Sequence, residues 1–355
     1  MENGYYSLSE YCKKTYGEKL YRIALDAGMT CPNRDGTLDS RGCIFCSAGG
    51  SGDFSARAAD LITRGIISHD TDLRGLIPEG MAPGTGAVKD AAADHVTTDT
   101  AAEIASQIEQ GKAQSAAKFH SSRYIAYFQA YTNTYDRPER LYRLYTQALS
   151  HPDVAGISIA TRPDCLPENV LDVLSRCQAE YPDQFIWVEL GLQTMHEQTA
   201  RYLRRGYPLP VFAEAMEALH ERRIPAIVHV IAGLPGETAA QFYETVSYVN
   251  LFHPFGVKLQ LLHVLRGTDL AADYERRRFD VLTQEQYIEM TAHALTLLSP
   301  DVVIHRLTGD GPKKLLIAPL WSADKKGVLN ALHRYLREHQ IVQGSRAAES
   351  SHMLL

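Results

Sequence analysis

The sequence predicts an α/β fold: a partial (β/α)6 TIM-like barrel with a C-terminal strand-and-helix extension. Three observations predict it. Short runs rich in β-branched and aromatic residues recur along the chain. Between them lie stretches with apolar residues at three- and four-residue spacing, the period of a helix face. The two kinds alternate, and a parallel sheet needs a helix-length return between successive strands. Six such strands fall two short of a closed eight-unit barrel.

The first strand is LYRIAL (20–25), followed by RYIAYFQ (123–129), VAGISIAT (154–161), FIWVELG (185–191), PAIVHVIA (225–232) and GVKLQLLH (256–263). Val170, Leu171, Leu174 and Cys177 mark one helix face. Val211, Phe212, Ala215, Met216 and Leu219 mark a second, and Phe242, Val246 and Val249 a third. DVVIHRL (301–307) adds a strand, then come the loop TGDGPKKLL and a helix near Lys325–Glu338. Residues 64–100 break the pattern. They are rich in Gly, Ala, Asp, Thr and Pro, lack periodicity, and read as a flexible insertion ahead of a helix starting near Thr100. The expected organisation is a core over 1–300, an extension over 301–342 and a frayed tail over 343–355.

Composition narrows the function. The chain has 355 residues, 45% of them apolar, enough for a large core. Its net charge of −6 argues against nucleic-acid binding by bulk charge, although a local basic face would still serve. No apolar run is long enough to span a membrane, and MENGYYSLSEYCKK lacks the apolar stretch of a signal peptide. Six unevenly spaced cysteines do not form a disulfide framework, so a cytoplasmic protein with reduced thiols is expected.

Cys31, Cys43 and Cys46 stand in CPNRDGTLDSRGCIFC, directly after the first strand. Strand C-termini and the loops after them form the active face of parallel barrels. Three thiolates are one short of a tetrahedral zinc site and one short of filling a cubane cluster. A structural zinc site completed by a distant histidine is the plain alternative. Cys12, Cys165 and Cys177 are isolated and read as ordinary thiols.

The ending Cys43-Ile44-Phe45-Cys46, with an aromatic before the last cysteine, resembles the radical S-adenosylmethionine (radical SAM) superfamily. CPNRDGT, GSGDF, YFQAYTNTY, VELGLQT, GLPGET and RLTGDGPKKLLIAPLW are similar to its YhcC/YtqA-type branch, within the group resembling the elongator catalytic subunit. The resemblance implies a [4Fe-4S] cluster whose open iron binds SAM, and reductive cleavage to a 5′-deoxyadenosyl radical that takes a hydrogen atom from substrate. It implies a reductant such as flavodoxin or ferredoxin. It also implies a tRNA wobble-uridine C5 side chain as substrate; a small-molecule or porphyrin-type reaction and a non-catalytic metal scaffold are the alternatives.

By the same resemblance Phe45 would lie near the adenine, Gln193 near the ribose and Arg205 against the SAM carboxylate. Gly233 turns out of the fifth strand on the adenine side, and His229 stands where some relatives carry Asp. The stretch from Gln129 to Thr134 replaces a glycine-rich turn beside the SAM amine. Arg162 follows a strand end, and Glu189 either contacts SAM or forms a structural ion pair. Tyr131, Asn133, Lys258, His263 and Arg306 are the candidates for a substrate wall, an aromatic with Asn, Lys and Arg donors. Their plain alternative is loop stabilisation or a solvated face.

Overall fold

A computed structural model describes residues 3–50, 99–116, 121–309 and 311–350. The chain runs through α1 (Leu8–Tyr16), β1 (Tyr21–Leu25), α2 (Asp99–Ala116), β2 (Tyr124–Phe128), α3 (Pro138–Leu149), β3 (Val154–Thr161) and α4 (Glu168–Glu180). It continues through β4 (Phe185–Gln193), α5 (Glu197–Tyr202), α6 (Leu209–Glu221), β5 (Ala226–Ala232), α7 (Ala239–Leu251) and β6 (Gly256–Leu261). The last elements are β7 (Val264–Leu265), α8 (Asp269–Glu275), α9 (Gln284–Leu297), β8 (Val303–Arg306), β9 (Leu316–Ala318), α10 (Lys325–Glu338) and α11 (Ala347–Ser350). Seven parallel strands, in the order β1-β2-β3-β4-β5-β6-β8, curl into a half-barrel. β7 and β9 form a separate antiparallel ribbon.

Strand alternation explains how the sheet divides its residues. On β4, Ile186, Val188, Leu190 and Leu192 pack into the main core under the helices. Trp187, Glu189, Gly191 and Gln193 take the other face. β5 does the same, with Ala226, Val228, Val230 and Ala232 outward and Ile227, His229 and Ile231 inward. Val170, Leu171, Leu174 and Cys177 of α4 meet this outer face, each fully buried. A fully buried aliphatic side chain contributes about 1.5–3 kcal/mol.

The inner face is layered. Ile125, Ala155, Trp187 and Ile227, near the strand N-termini, form an apolar floor. α1 closes it from below. Ser7 caps that helix by accepting from the Glu10 amide, and Gly17, at φ 78°, ends it. The helix thus brings Tyr11 and Cys12 against the floor, where Trp187 stacks on Phe185 at 3.9 Å and meets Phe255 at 5.0 Å.

The strand of the C-terminal extension joins the main sheet, because β8 pairs with β6. Gln343, placed at the start of a frayed tail, is buried: it donates to the carbonyls of Gly4, Ser299 and Val302 and accepts from the Tyr6 amide. These buried carbonyls need donors, which is why the chain stays ordered here. The insertion falls almost wholly outside the described residues; its last two positions open α2. No helix among the described residues is long and apolar enough to cross a membrane.

Candidate functional site

The loop after β1 folds on its own backbone. Arg34 and Asp35 amides donate to Cys31 O, and the Cys46 amide donates to Cys43 O. The Arg34 guanidinium draws the end of the loop inward by donating to the carbonyls of Cys46, Ser47 and Ala48. Tyr131 straps it from β2's side: its hydroxyl donates to Ala48 O at 2.7 Å. A Cβ on Gly50 would sit 3.0 Å from the Tyr131 ring and press on it, and the φ of +61° there favours glycine. Around the thiols, a hydrogen bond from Cys46 outweighs burial, and with Arg162, Asn33 and Arg34 it draws the Cys43 pKa down to about 6. Cys46, the partner in that bond, is pushed up.

Opposite the loop, directly above the floor, the inner face becomes polar. Glu189 is completely buried and accepts from Ser158 Oγ at 2.7 Å and from His229 Nε2 at 2.8 Å. Lys258 Nζ pairs with the same carboxylate and lies 3.1 Å from Tyr127 OH. Burial alone would raise the Glu189 pKa, but Lys258, His229 and Arg22 hold it well below the usual range. Burial, with repulsion from Lys258, lowers His229 to about 4 despite Glu189. A neutral imidazole facing a carboxylate must carry its proton on Nε2. Nδ1 is then the acceptor for the Gln260 amide at 3.3 Å.

The loop and this layer enclose one cavity of about 290 Å³. Cys31, Cys43, Cys46 and Phe45 line one wall. Gln129, Arg162, Glu189, Gln193, Arg205 and His229 line the middle. Tyr131, Lys258, His263 and Arg306 complete it. Two expected residues do not reach it. Asn133 is fully buried below the wall, where its amide N and Nδ2 both donate to Ala160 O and its carbonyl accepts from Tyr145. It ties the turn after β2 to β3, and its side-chain oxygen has no partner among the described residues. Gly233, at φ +80°, makes its turn against Leu282.

Several side chains that line the cavity are already engaged. Arg162 forks onto Asp164. Arg205 lies on the Tyr207 ring and donates to Tyr207 O, Thr194 O and Glu197. A guanidinium has five N–H donors, so two remain for a ligand. Glu189 is the centre of an ion-pair network, and His263 bonds Ser322. Gln193 differs. It holds φ 69°, and its Oε1 is buried at the cavity with no partner among the described residues.

Arg34 and Tyr127 also line the cavity without having been expected. Tyr127 had a signal, standing two residues before Gln129 on the same strand face. Arg34 had none, because its role comes from the loop's folded shape.

A profile of the radical SAM superfamily matches residues 40–249, more than half of the chain. The protein belongs to the radical SAM superfamily. A radical SAM C-terminal domain profile matches residues 254–338. The chain is 36% identical to YtqA of Bacillus subtilis over 344 residues, which is 97% of this chain and 92% of YtqA. It is 31% identical to YhcC of Escherichia coli K12 over 334 residues, 94% of this chain and 92% of YhcC. Among solved structures, Elp3 of Methanocaldococcus infernus lacking its N-terminus superposes with a TM-score of 0.57 at 17% identity. The match covers 68% of this chain and 59% of that one, and it concerns the fold alone.

Radical SAM proteins bind a [4Fe-4S] cluster and SAM. The donors here fit both. Three cysteines share a wall, and soft thiolates suit iron–sulfur over a hard cation. The unpartnered Gln193 Oε1 offers a buried acceptor for a hydroxyl-bearing ligand.

Proposed function

We propose that this radical SAM enzyme acts on the C5 side chain of a wobble uridine in tRNA, removing or remodelling it after hydrogen-atom abstraction. The observation that carries the reading is one cavity with two chemically different walls. Thiols stand on the loop side, Tyr131, His263 and Arg306 stand at or beyond strand ends, and Lys258 lies within β6 against Glu189. An aromatic ring with cationic donors suits an unstacked base, and strand ends are where barrel enzymes hold substrate. The choice of wobble uridine draws on the sequence resemblance to the elongator-like group.

In this reading Cys31, Cys43 and Cys46 hold the cluster. When bound and reduced, the cluster supplies the electron that splits SAM into methionine and a 5′-deoxyadenosyl radical. Gln193 Oε1 would accept from a ribose hydroxyl, Phe45 would serve the adenine side, and the two remaining Arg205 donors would serve the carboxylate. The apolar floor excludes water from one end, and the buried Glu189–Lys258 pair fixes the polar wall. A one-electron donor such as flavodoxin or ferredoxin completes the system, in the cytoplasm.

The test compares the modified nucleosides of tRNA from cells with and without the gene. A wobble uridine with an unprocessed side chain should accumulate in its absence. An identical nucleoside profile removes tRNA as substrate and leaves a small molecule. In vitro, Arg306→Ala should lower coupled turnover while uncoupled SAM cleavage persists.

A further inference from the structure

Asn33 belongs to the cysteine loop, two residues after Cys31, and is 1% exposed. Its side-chain nitrogen donates to Arg204 O at 2.6 Å, lies 3.5 Å from Arg205 O, and reaches Cys43 Sγ at 3.3 Å. Two carbonyl oxygens on this side fix the amide's orientation, because an amide oxygen there would face two others. A primary amide has two N–H groups. Arg204 O takes one, and the other is directed at sulfur. The opposite end is equally confined: a Cβ on Gly206 would come within 2.7 Å of Asn33 Oδ1. The Asn33 backbone is fixed too, since its carbonyl accepts from the Gly42 amide at 2.6 Å.

We infer that Asn33 is a positioning residue for the cluster: its amide N–H donates to the Cys43 sulfur, raises the cluster's reduction potential, and ties the cysteine loop to the turn that carries Arg205. The inference rests on Cys43 as a cluster ligand and is independent of the substrate. One electron from a low-potential donor adds negative charge to the cluster, part of it on the ligand sulfurs. An N–H aimed at one of them stabilises the reduced state more than the oxidised state. Asn33 itself is buried, so water does not compete for its N–H. A second contact joins the same two segments, from the Ile44 amide to Leu203 O at 3.2 Å. Asn33 thereby makes the electron-accepting end and the Arg205 end of the cavity one rigid unit.

The experiment is a potentiometric titration of the anaerobically reconstituted holoprotein, followed by the EPR signal of the reduced cluster, without SAM or substrate. Asn33→Ala should keep full iron content and move the midpoint to more negative potential. The expected size is about a tenfold lower ratio of reduced to oxidised cluster at fixed potential, 59 mV for one electron. Full iron with an unmoved midpoint overturns the inference. If Asn33→Ala takes up no iron, the wild-type protein decides. With ¹⁵N-labelled asparagine, pulsed EPR of the reduced cluster should show a ¹⁵N coupling and an exchangeable proton, and their absence overturns the inference. Cys43→Ala runs in parallel and should lose the cluster. Retained iron there would show that the ligand assignment itself has failed.

Discussion

The loop carrying Cys31, Cys43 and Cys46 and the strand layer around Glu189 face each other across one cavity, but different forces hold them. The loop is held by neutral carbonyls gathered under Arg34, by Tyr131 and by Asn33. The strand layer is held by ions: one buried carboxylate serves Lys258 and His229, with Arg22 4.0 Å away. Losing the Arg34 or Tyr131 contact to Ala48 leaves polar atoms near water. Losing one member of the strand layer strands a charge in the core. The first wall should therefore tolerate damage as a fold and fail as a cofactor site, and the second should do the reverse.

Cysteine replacement tests this difference most severely. Changing any one of Cys31, Cys43 or Cys46 to Ala should abolish uptake of about four irons and the broad absorbance near 400 nm of a cubane cluster. The apoprotein's urea midpoint should hardly move. Stoichiometric zinc with no iron uptake would show the loop to be a structural zinc site. Glu189→Ala is the counterpart. It leaves Lys258 buried and unpaired, at a cost of about 3–5 kcal/mol in urea unfolding. Replacing both partners with Glu189→Leu and Lys258→Met should cost less than Glu189→Ala alone. A larger loss in the double variant would mean that the pair is itself a net source of stability.

His229 sharpens the same contrast through pH. Its pKa falls from 6.5 to about 4 on folding, so the unfolded chain takes up the proton first as pH drops. His229 costs no stability above pH 6.5. Its penalty grows between pH 6.5 and about 4, reaching at most about 3 kcal/mol, and is constant below. His229→Gln should flatten that part of the urea-midpoint curve. Parallel curves for the two proteins would show that His229 does not titrate in this way.

Smaller effects are expected nearer the ligand. Arg205→Ala should weaken SAM binding by about 1.5–3 kcal/mol, the range for a charge-assisted contact, with iron content unchanged. Unaltered affinity would confine Arg205 to its bonds with Tyr207, Thr194 and Glu197. Tyr131→Phe, which removes the hydroxyl that donates to Ala48, should cost about 0.5–1.5 kcal/mol. A collapse of iron loading would make this strap far more important than one neutral bond.

Much of this was legible in the sequence, for reasons that can be named. Period-two alternation shows which residues of VELGLQ share a face, so Glu189, Gly191 and Gln193 could be grouped before any coordinates. Alternation does not show which strand lies opposite. The pairing of Glu189 with Lys258 depends on β5 and β6 being consecutive neighbours and on the register His229↔Lys258. Asn133 read as a strand-end donor because sequence cannot show the turn diving under the wall to Ala160. Asn33 and Arg34 lay in plain view inside CPNRDGT, but their bonds to Arg204 and Ser47 are made by loop shape, which has no period.

The bonds of Gln343 set the order in which the molecule can be completed. Gly4 and Tyr6 bond to Gln343, and Tyr6 O also accepts from the Ile304 amide. On the ribosome, residues 4–6 emerge long before their partners, which are made almost three hundred residues or more later. From β2 to β6 the sheet grows by short-range additions, each strand joining the one before, whereas β1 waits about a hundred residues for β2. The contacts that lock α1 under it are among the longest in the chain and close last. During synthesis the aromatic floor therefore waits unsealed, and that is when a chaperone has most to protect.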